Sequence, residues 1–303
     1  MYLKCPINVS PLFLKGREGK AELCIGGKGC WLMSDDFLYR DVPAFGRKLF
    51  RFGLATNYGV EGQDLEWALQ QGVNYVFWTP NARKVTESLK AALKRDRESI
   101  VLATGPTIGF FGGSIRGACE RLLKKLGTDY IDVFQLFWLG RTSAWTQSTI
   151  DALISLRESG MIRAIGASMH DRSRAGKLVA DSPLDMLMIR YNAAHPGAEQ
   201  DIFPFLAKRR PAIVTYTATR WGGLLKRPKG WDGPVMTAGD CYRFCVSNPN
   251  VDLVLTGPKN GQQLRENLQT IMEKGPLSEQ EMHWIREFGQ IVHEASSRFT
   301  FRF

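Results

Sequence analysis

One alternation runs through most of the chain: a short apolar run, then a longer segment with the spacing of an amphipathic helix. The runs are Leu49 to Ala55, Val73 to Trp78, Ile100 to Ala103, Ile131 to Phe137, Ile162 to Ala167, Met186 to Tyr191, Ala212 to Tyr216 and Val251 to Leu255. Helical spacing lies between them, as in Gly62 to Gln71, Lys84 to Lys94, Ile115 to Leu126, Ser148 to Ser159 and Asp240 to Ser247. Apolar runs of about four to eight residues suit strands buried on both faces, and strands alternating with helices suit a parallel sheet. Eight such units in 303 residues predict a closed (β/α)8 TIM barrel. An open doubly wound sheet would more often carry G-x-G-x-x-G after its first strand, and none is there.

The length allows one large core. The expected organisation is therefore an irregular N-terminal extension over residues 1–44 and a barrel domain over 45–303, ending in an extra helix. That helix, Leu277 to Ala295, follows Pro276 with Ser278 as N-cap. Cys5, Cys24 and Cys30 fall in the extension without the spacing or the nearby His of a zinc site, so no metal is expected.

Six cysteines do not make a disulfide framework in a chain this long. The first residues, MYLKCPINVSPLFLKG, lack the apolar core of a secretion signal, and no run approaches the roughly 18 apolar residues of a membrane span. The expectation is a soluble, cytoplasmic protein. A balance of 40 Lys plus Arg against 30 Asp plus Glu gives +10. The basic residues are spread along helices such as Lys84 to Arg97 and Arg116 to Lys125, which reads as a solvated surface and not a nucleic-acid arm.

The stretch VDLVLTGPKNGQQLRENL, Val251 to Leu268, carries the clearest chemical signal. An apolar strand ends in Thr256-Gly257-Pro258 and opens into a helix with Leu264 and Leu268 four apart. Backbone N–H groups and the positive end of the helix dipole make such a turn receptive to a phosphate, and Lys259 adds a full charge. In a parallel barrel, reacting groups sit where strands end and loops begin. At those positions there is no carboxylate pair, no Ser/His/Asp set and no cluster of metal ligands.

Segments in order and spacing resemble the aldo/keto reductases: GLATNYG at Gly53, GVNYVFWTP at Gly72, TDYIDVFQLFW at Thr128, GMIRAIGAS at Gly160, RYN at Arg190, FPFLAKRRPAIVTYTATRWGGLL at Phe203 and TGPKNGQQLRENL at Thr256. The resemblance covers about residues 45 to 298. It implies a (β/α)8 barrel that binds NADP(H) in extended form and reduces a small-molecule substrate. On it, Ser168 matches the serine that holds the nicotinamide carboxamide, and Tyr216 the aromatic on which the ring stacks. Gly257, Lys259, Asn260, Gln263 and Asn267 match the grip on the adenosine end, where Lys259 and Arg265 would favour a 2′-phosphate. Met169 and Met188 stand where the family carries Asn and Gln.

The catalytic half departs from the pattern. The family's Asp falls on Phe77, its proton-donating Tyr on Ala82, its Lys on Gly105 and its His on Phe137. General acid help is worth about a hundredfold to ten-thousandfold, so its loss slows a carbonyl reductase without abolishing hydride transfer. Tyr58, Arg190 and His170 are the replacement candidates. Each has an ordinary reading beside it: Tyr58 as an aromatic lining the mouth, Arg190 as a surface ion pair, His170 as a loop residue. An inward Arg190 would take the room left by the missing Lys at Gly105. Phe77, Trp78, Phe110, Phe111, Phe137, Trp138 and Trp221 predict an aromatic mouth. The alternative function is a non-catalytic NADPH-binding protein serving as a sensor or assembly subunit. Oligomeric state is left open between monomer and homo-oligomer.

Overall fold

The computed structural model describes residues 35–106, 112–140 and 144–300, together with short strands at Leu14–Lys15 and Ala21–Glu22. Eight strands close into a barrel: β1 (Phe52–Ala55), β2 (Tyr75–Phe77), β3 (Val101–Thr104), β4 (Ile131–Leu136), β5 (Ile162–Met169), β6 (Met186–Arg190), β7 (Ala212–Tyr216) and β8 (Leu253–Thr256). Each pairs in parallel with the next, and β8 returns to β1 with Val254 opposite Phe52. The principal outer helices are α1 (Gly62–Gln70), α2 (Arg83–Arg95), α3 (Gly112–Leu126), α4 (Gln147–Glu158), α5 (Arg172–Asp181), α6 (Ala238–Ser247), α7 (Gly261–Lys274) and α8 (Glu279–Thr300). This is the TIM barrel that the alternation predicts.

The period of two along each strand sorts side chains into two cores. Ala55, Phe77, Ala103, Val133, Met186, Met188, Val214 and Leu255 pack inside the barrel. Leu54, Val76, Leu102, Phe134, Leu187, Ile213 and Val254 face the helices. Trp78 follows the outward register: it is fully buried and its indole N–H donates to Thr86 Oγ1 at 3.2 Å. It therefore does not belong to the mouth, where the sequence reading put it.

The first apolar run, Leu49 to Ala55, is not one strand. Arg47–Phe50 pairs antiparallel with Tyr39–Val42, and only Phe52–Ala55 enters the barrel. The described part of the extension from residue 35 packs on the barrel, and the boundary placed at 45 falls in the turn of this hairpin. Its Val42 and Leu49 join the interior core, and Phe45 lies 6.1 Å from the Tyr75 ring, so the hairpin floors the barrel at the N-terminal ends of the strands. Cys5, Cys24 and Cys30 lie outside the described residues.

Charges pin this floor. Arg51, 3% exposed, donates to the carbonyls of Val246, Val251 and Asp252. Asp252 holds Arg40 and Arg210, and Asp132 holds Arg97 at 2.7 Å. The extra C-terminal helix is present as α8. Ser278 and Glu281 exchange hydrogen bonds at its start, and Glu281 reaches the fully buried Arg243 at 2.8 Å. Among the described residues, no helix is long and apolar enough to cross a membrane, and no group of three or more His, Cys, Asp or Glu is placed to hold a metal ion.

Candidate functional site

At the C-terminal ends of the strands a cavity of about 860 Å³ runs from the barrel mouth to the start of α7. Ala55, Phe77, Phe137, Ser168, Met188 and Tyr216 line its inner part; Gly257, Pro258, Lys259, Gln263, Glu266 and Asn267 line the other end. Tyr58, Trp138 and Trp221 form its rim and are exposed by 53%, 49% and 70%.

The turn after β8 is built locally. Asn260 is the N-cap of α7, its side-chain oxygen accepting from the Gln263 N–H at 2.9 Å. The Gln263 side chain in turn accepts from the Lys259 N–H at 3.0 Å. Gln263, Glu266 and Asn267 follow helical spacing, so one face of α7 looks into the cavity. Asn260 does not line it. Arg265 is on another face, paired with Asp64 at 3.2 Å and 4.9 Å from the centre of the Trp67 ring. It is therefore withdrawn from the place where the sequence reading offered it to a phosphate. Among the described lining residues, Lys259 is the only cation and Glu266 the only carboxylate.

Ser168 and Asn267 are among the buried polar side chains that line the cavity. Ser168, 2% exposed, accepts from the Trp138 N–H at 2.9 Å, which leaves its O–H free to donate. Asn267 is 8% exposed and has no hydrogen-bond partner among the described residues. A buried amide open to a cavity has its partner in a ligand or solvent. These groups fit a nicotinamide dinucleotide: an O–H donor for a carboxamide at the mouth, an amide for a base and a cation for a phosphate at the other end.

The four positions onto which the resemblance maps the family's catalytic residues are Phe77, Ala82, Gly105 and Phe137. Phe77 and Phe137 meet edge to face at 5.7 Å, and both line the cavity. Ala82 is buried at the N-terminus of α2. Gly105 is closed: a Cβ there would overlap the Gln135 carbonyl oxygen. The position after strand three therefore has no room for a side chain. Met188 lies 3.8 Å from the buried Gln135 amide nitrogen, and Met169 is buried.

The three replacement candidates are not brought together on one atom. Tyr58 lines the cavity and packs against Gly257. His170 lies beside Tyr216, whose hydroxyl is 3.3 Å from Nε2, and burial pushes the Tyr216 phenol up to about 12. Arg190 ends β6 on the face that carries Met188, but it is not among the residues that line the cavity and does not fill the Gly105 position, where nothing fits.

Tyr242 on α6 and Glu266 also line the cavity, and the sequence reading missed both. Glu266 was accessible from helical spacing around Asn267, whereas Tyr242 sits on a helix that carries no local sign of a site. Phe110 and Phe111 lie outside the described residues. Among the described residues, four non-glycines have left-handed backbone, Trp138, Thr217, Arg220 and Trp221, and all are in mouth loops. Such conformations cost about 1–3 kcal/mol each and cluster where ligands are gripped.

Comparison with known proteins agrees with this architecture. The chain is 26% identical to aldo-keto reductase YhdN of Bacillus subtilis over 205 residues, 59% of this chain and 61% of the relative. It is 27% identical to the NADH-specific methylglyoxal reductase of Escherichia coli over 111 residues, 36% of this chain and 34% of that one. The matches thus span between a third and three-fifths of these relatives. Among solved structures, aldo-keto reductase AKR11C1 from Bacillus halodurans in its holo form superposes with a TM-score of 0.69 at 22% identity, over 83% of this chain and 96% of that one. The model of the aldo/keto reductase family matches residues 82–240, more than half of the chain, and the protein belongs to that family.

Proposed function

We propose that the protein binds a nicotinamide dinucleotide along this cavity and acts as an oxidoreductase on a small carbonyl or other electron-poor acceptor. The observation that carries the reading is that Ser168 and Asn267, both buried, open toward the two ends of one continuous cavity with Lys259 at its exposed end. When bound, the dinucleotide supplies a hydride to the acceptor. Ser168 donates its O–H to the carboxamide, and the Tyr216 ring provides the surface on which the nicotinamide lies. Gly257 and Gln263 shape the turn beneath the adenosine end, and Asn260 holds that turn through its cap. The preference for NADP(H) rests on Lys259 alone, because Arg265 is held by Asp64.

The acceptor oxygen needs one proton for each hydride its carbon receives. Tyr58 is the donor we assign, since it lines the cavity and stays open to water. The aromatic walls of Phe77 and Phe137 exclude water from the interior side. Calorimetry with NADPH and NADH tests the binding step. Both nucleotides should give heat, NADPH binding about tenfold tighter, and Lys259→Ala should erase the difference. No heat from either nucleotide overturns the reading. Turnover with a carbonyl should fall by about a hundredfold in Tyr58→Phe.

The closed Gly105 position and the Phe77–Phe137 contact favour a second reading, a nucleotide-binding protein without turnover. It predicts a rise in melting temperature with NADPH and no oxidation of NADPH by carbonyls, quinones or enones. One robust substrate removes it.

A further inference from the structure

Beside the cavity, on the β6–β7 side of the mouth, lies a group of charges unlike any on the floor of the barrel. Arg190 is the register partner of Tyr216 and stands one pleat above Met188, on the strand face that looks into the barrel. Arg220 lies between Thr219 and Trp221, both of which line the cavity, and its buried Nε has no partner. Among the described residues neither guanidinium makes a hydrogen bond or an ion pair. The charged groups that face Arg190 are Arg172 and Arg220, with Tyr216 beside them. Arg172 already holds Asp201 at 2.7 Å. His195 faces Arg190 and Arg220 and lies 3.2 Å from His293; burial and these neighbours lower its value to about 4.

The contrast with other enclosed guanidiniums decides the meaning. Arg51 donates to the carbonyls of Phe37, Val246, Val251 and Asp252 on the floor, and Arg243 holds Asp240 and Glu281. Two partly buried like charges side by side, without a carboxylate, are unfavourable unless something else supplies the negative charge. Neither arginine lines the cavity itself, but Arg190 is opposite Tyr216 in register and Arg220 lies between Thr219 and Trp221, all three of which do, so the negative charge would sit beside the way in for an acceptor.

We propose that Arg190 and Arg220 are a receptor for an oxyanion carried by the substrate, so that the acceptor is a carbonyl compound bearing a carboxylate or phosphate. The proposal rests on the dinucleotide reading above. Planar guanidinium forks match such groups in geometry as well as charge. The phosphates of the dinucleotide are the other source of the same chemistry, and the experiment separates the two.

The probes are 4-carboxybenzaldehyde and its neutral methyl ester, titrated by tryptophan fluorescence into the full chain with and without saturating NADP+. Turnover of both is then measured with NADPH. The acid should bind about tenfold tighter than the ester. Arg190→Gln and Arg220→Gln should each bring the ratio near one, while the NADPH dissociation constant stays within about twofold. Arg190→Lys should keep part of the ratio, and circular dichroism checks that each variant is folded. Equal binding of acid and ester, or a ratio unchanged in both Gln variants, overturns the receptor. Loss of NADPH affinity with the ratio intact also overturns it and assigns the arginines to the dinucleotide. A protein that binds neither nucleotide removes the dinucleotide reading, and the ratio measured without nucleotide still decides the receptor.

Discussion

The two ends of the barrel are built by opposite rules. At the floor, the hairpin of residues 39–50 closes the interior, and Arg51, Asp132 and Asp252 meet partners on several sides. At the mouth, among the described residues, Arg190 and Arg220 have no carboxylate partner, two tryptophans stand exposed, and four non-glycine residues hold left-handed backbone. The difference separates what keeps the chain folded from what it grips, as the fold generally divides its faces. Floor substitutions should therefore change stability first, and mouth substitutions recognition first.

The sharpest test of the floor is Arg51→Leu, which takes its donor from the carbonyls of Val246 and Asp252 and leaves Val251 with Arg40 alone. Urea unfolding should show a loss of about 3–5 kcal/mol. Gly105→Ala is the exception expected at the mouth, because its Cβ meets the Gln135 backbone. It should cost about 2–4 kcal/mol by the same measurement. Gly105→Lys should not bring back family-type catalysis, and recovery of carbonyl reduction in that variant would break the account of a closed position.

Smaller effects sharpen the contrast. His195 falls from an ordinary 6.5 to about 4 because burial and the nearby Arg190, Arg220 and His293 disfavour its charged form. Its folded value is depressed, so its contribution is complete above pH 6.5 and is lost as pH falls toward 4. A stability profile should lose about 1–3 kcal/mol over that window, and His195→Gln should flatten it. The smallest change is Trp221→Gly, at φ 51°. Relief of the left-handed strain, offset by the entropy of glycine, should stabilise the fold by about 0.5 kcal/mol while weakening aromatic probes.

The barrel was readable because strand and helix periods repeat eight times, and a buried strand needs only its own residues to look apolar. The Thr256–Asn267 turn was readable for a related reason, since Asn260 and Gln263 organise it within a few residues. Features joining distant segments were hidden. Arg265 is turned away by Asp64, 201 residues earlier, and the overlap at Gly105 comes from the Gln135 backbone of the next strand. The left-handed run at Thr217, Arg220 and Trp221 has no glycine at those positions to announce it. The hairpin was missed because Leu49 and Phe50 look continuous with Phe52, although Arg51 between them belongs to the floor.

Arg51 also has a temporal consequence. The carbonyls it needs are 195, 200 and 201 residues further along the chain, and β1 closes the barrel only against β8. At about 5–20 residues per second of synthesis, a nascent chain waits roughly 10–40 seconds between making the guanidinium and making its acceptors. Throughout that interval β1 presents an open edge, and chaperone protection of the first half-barrel matters most then.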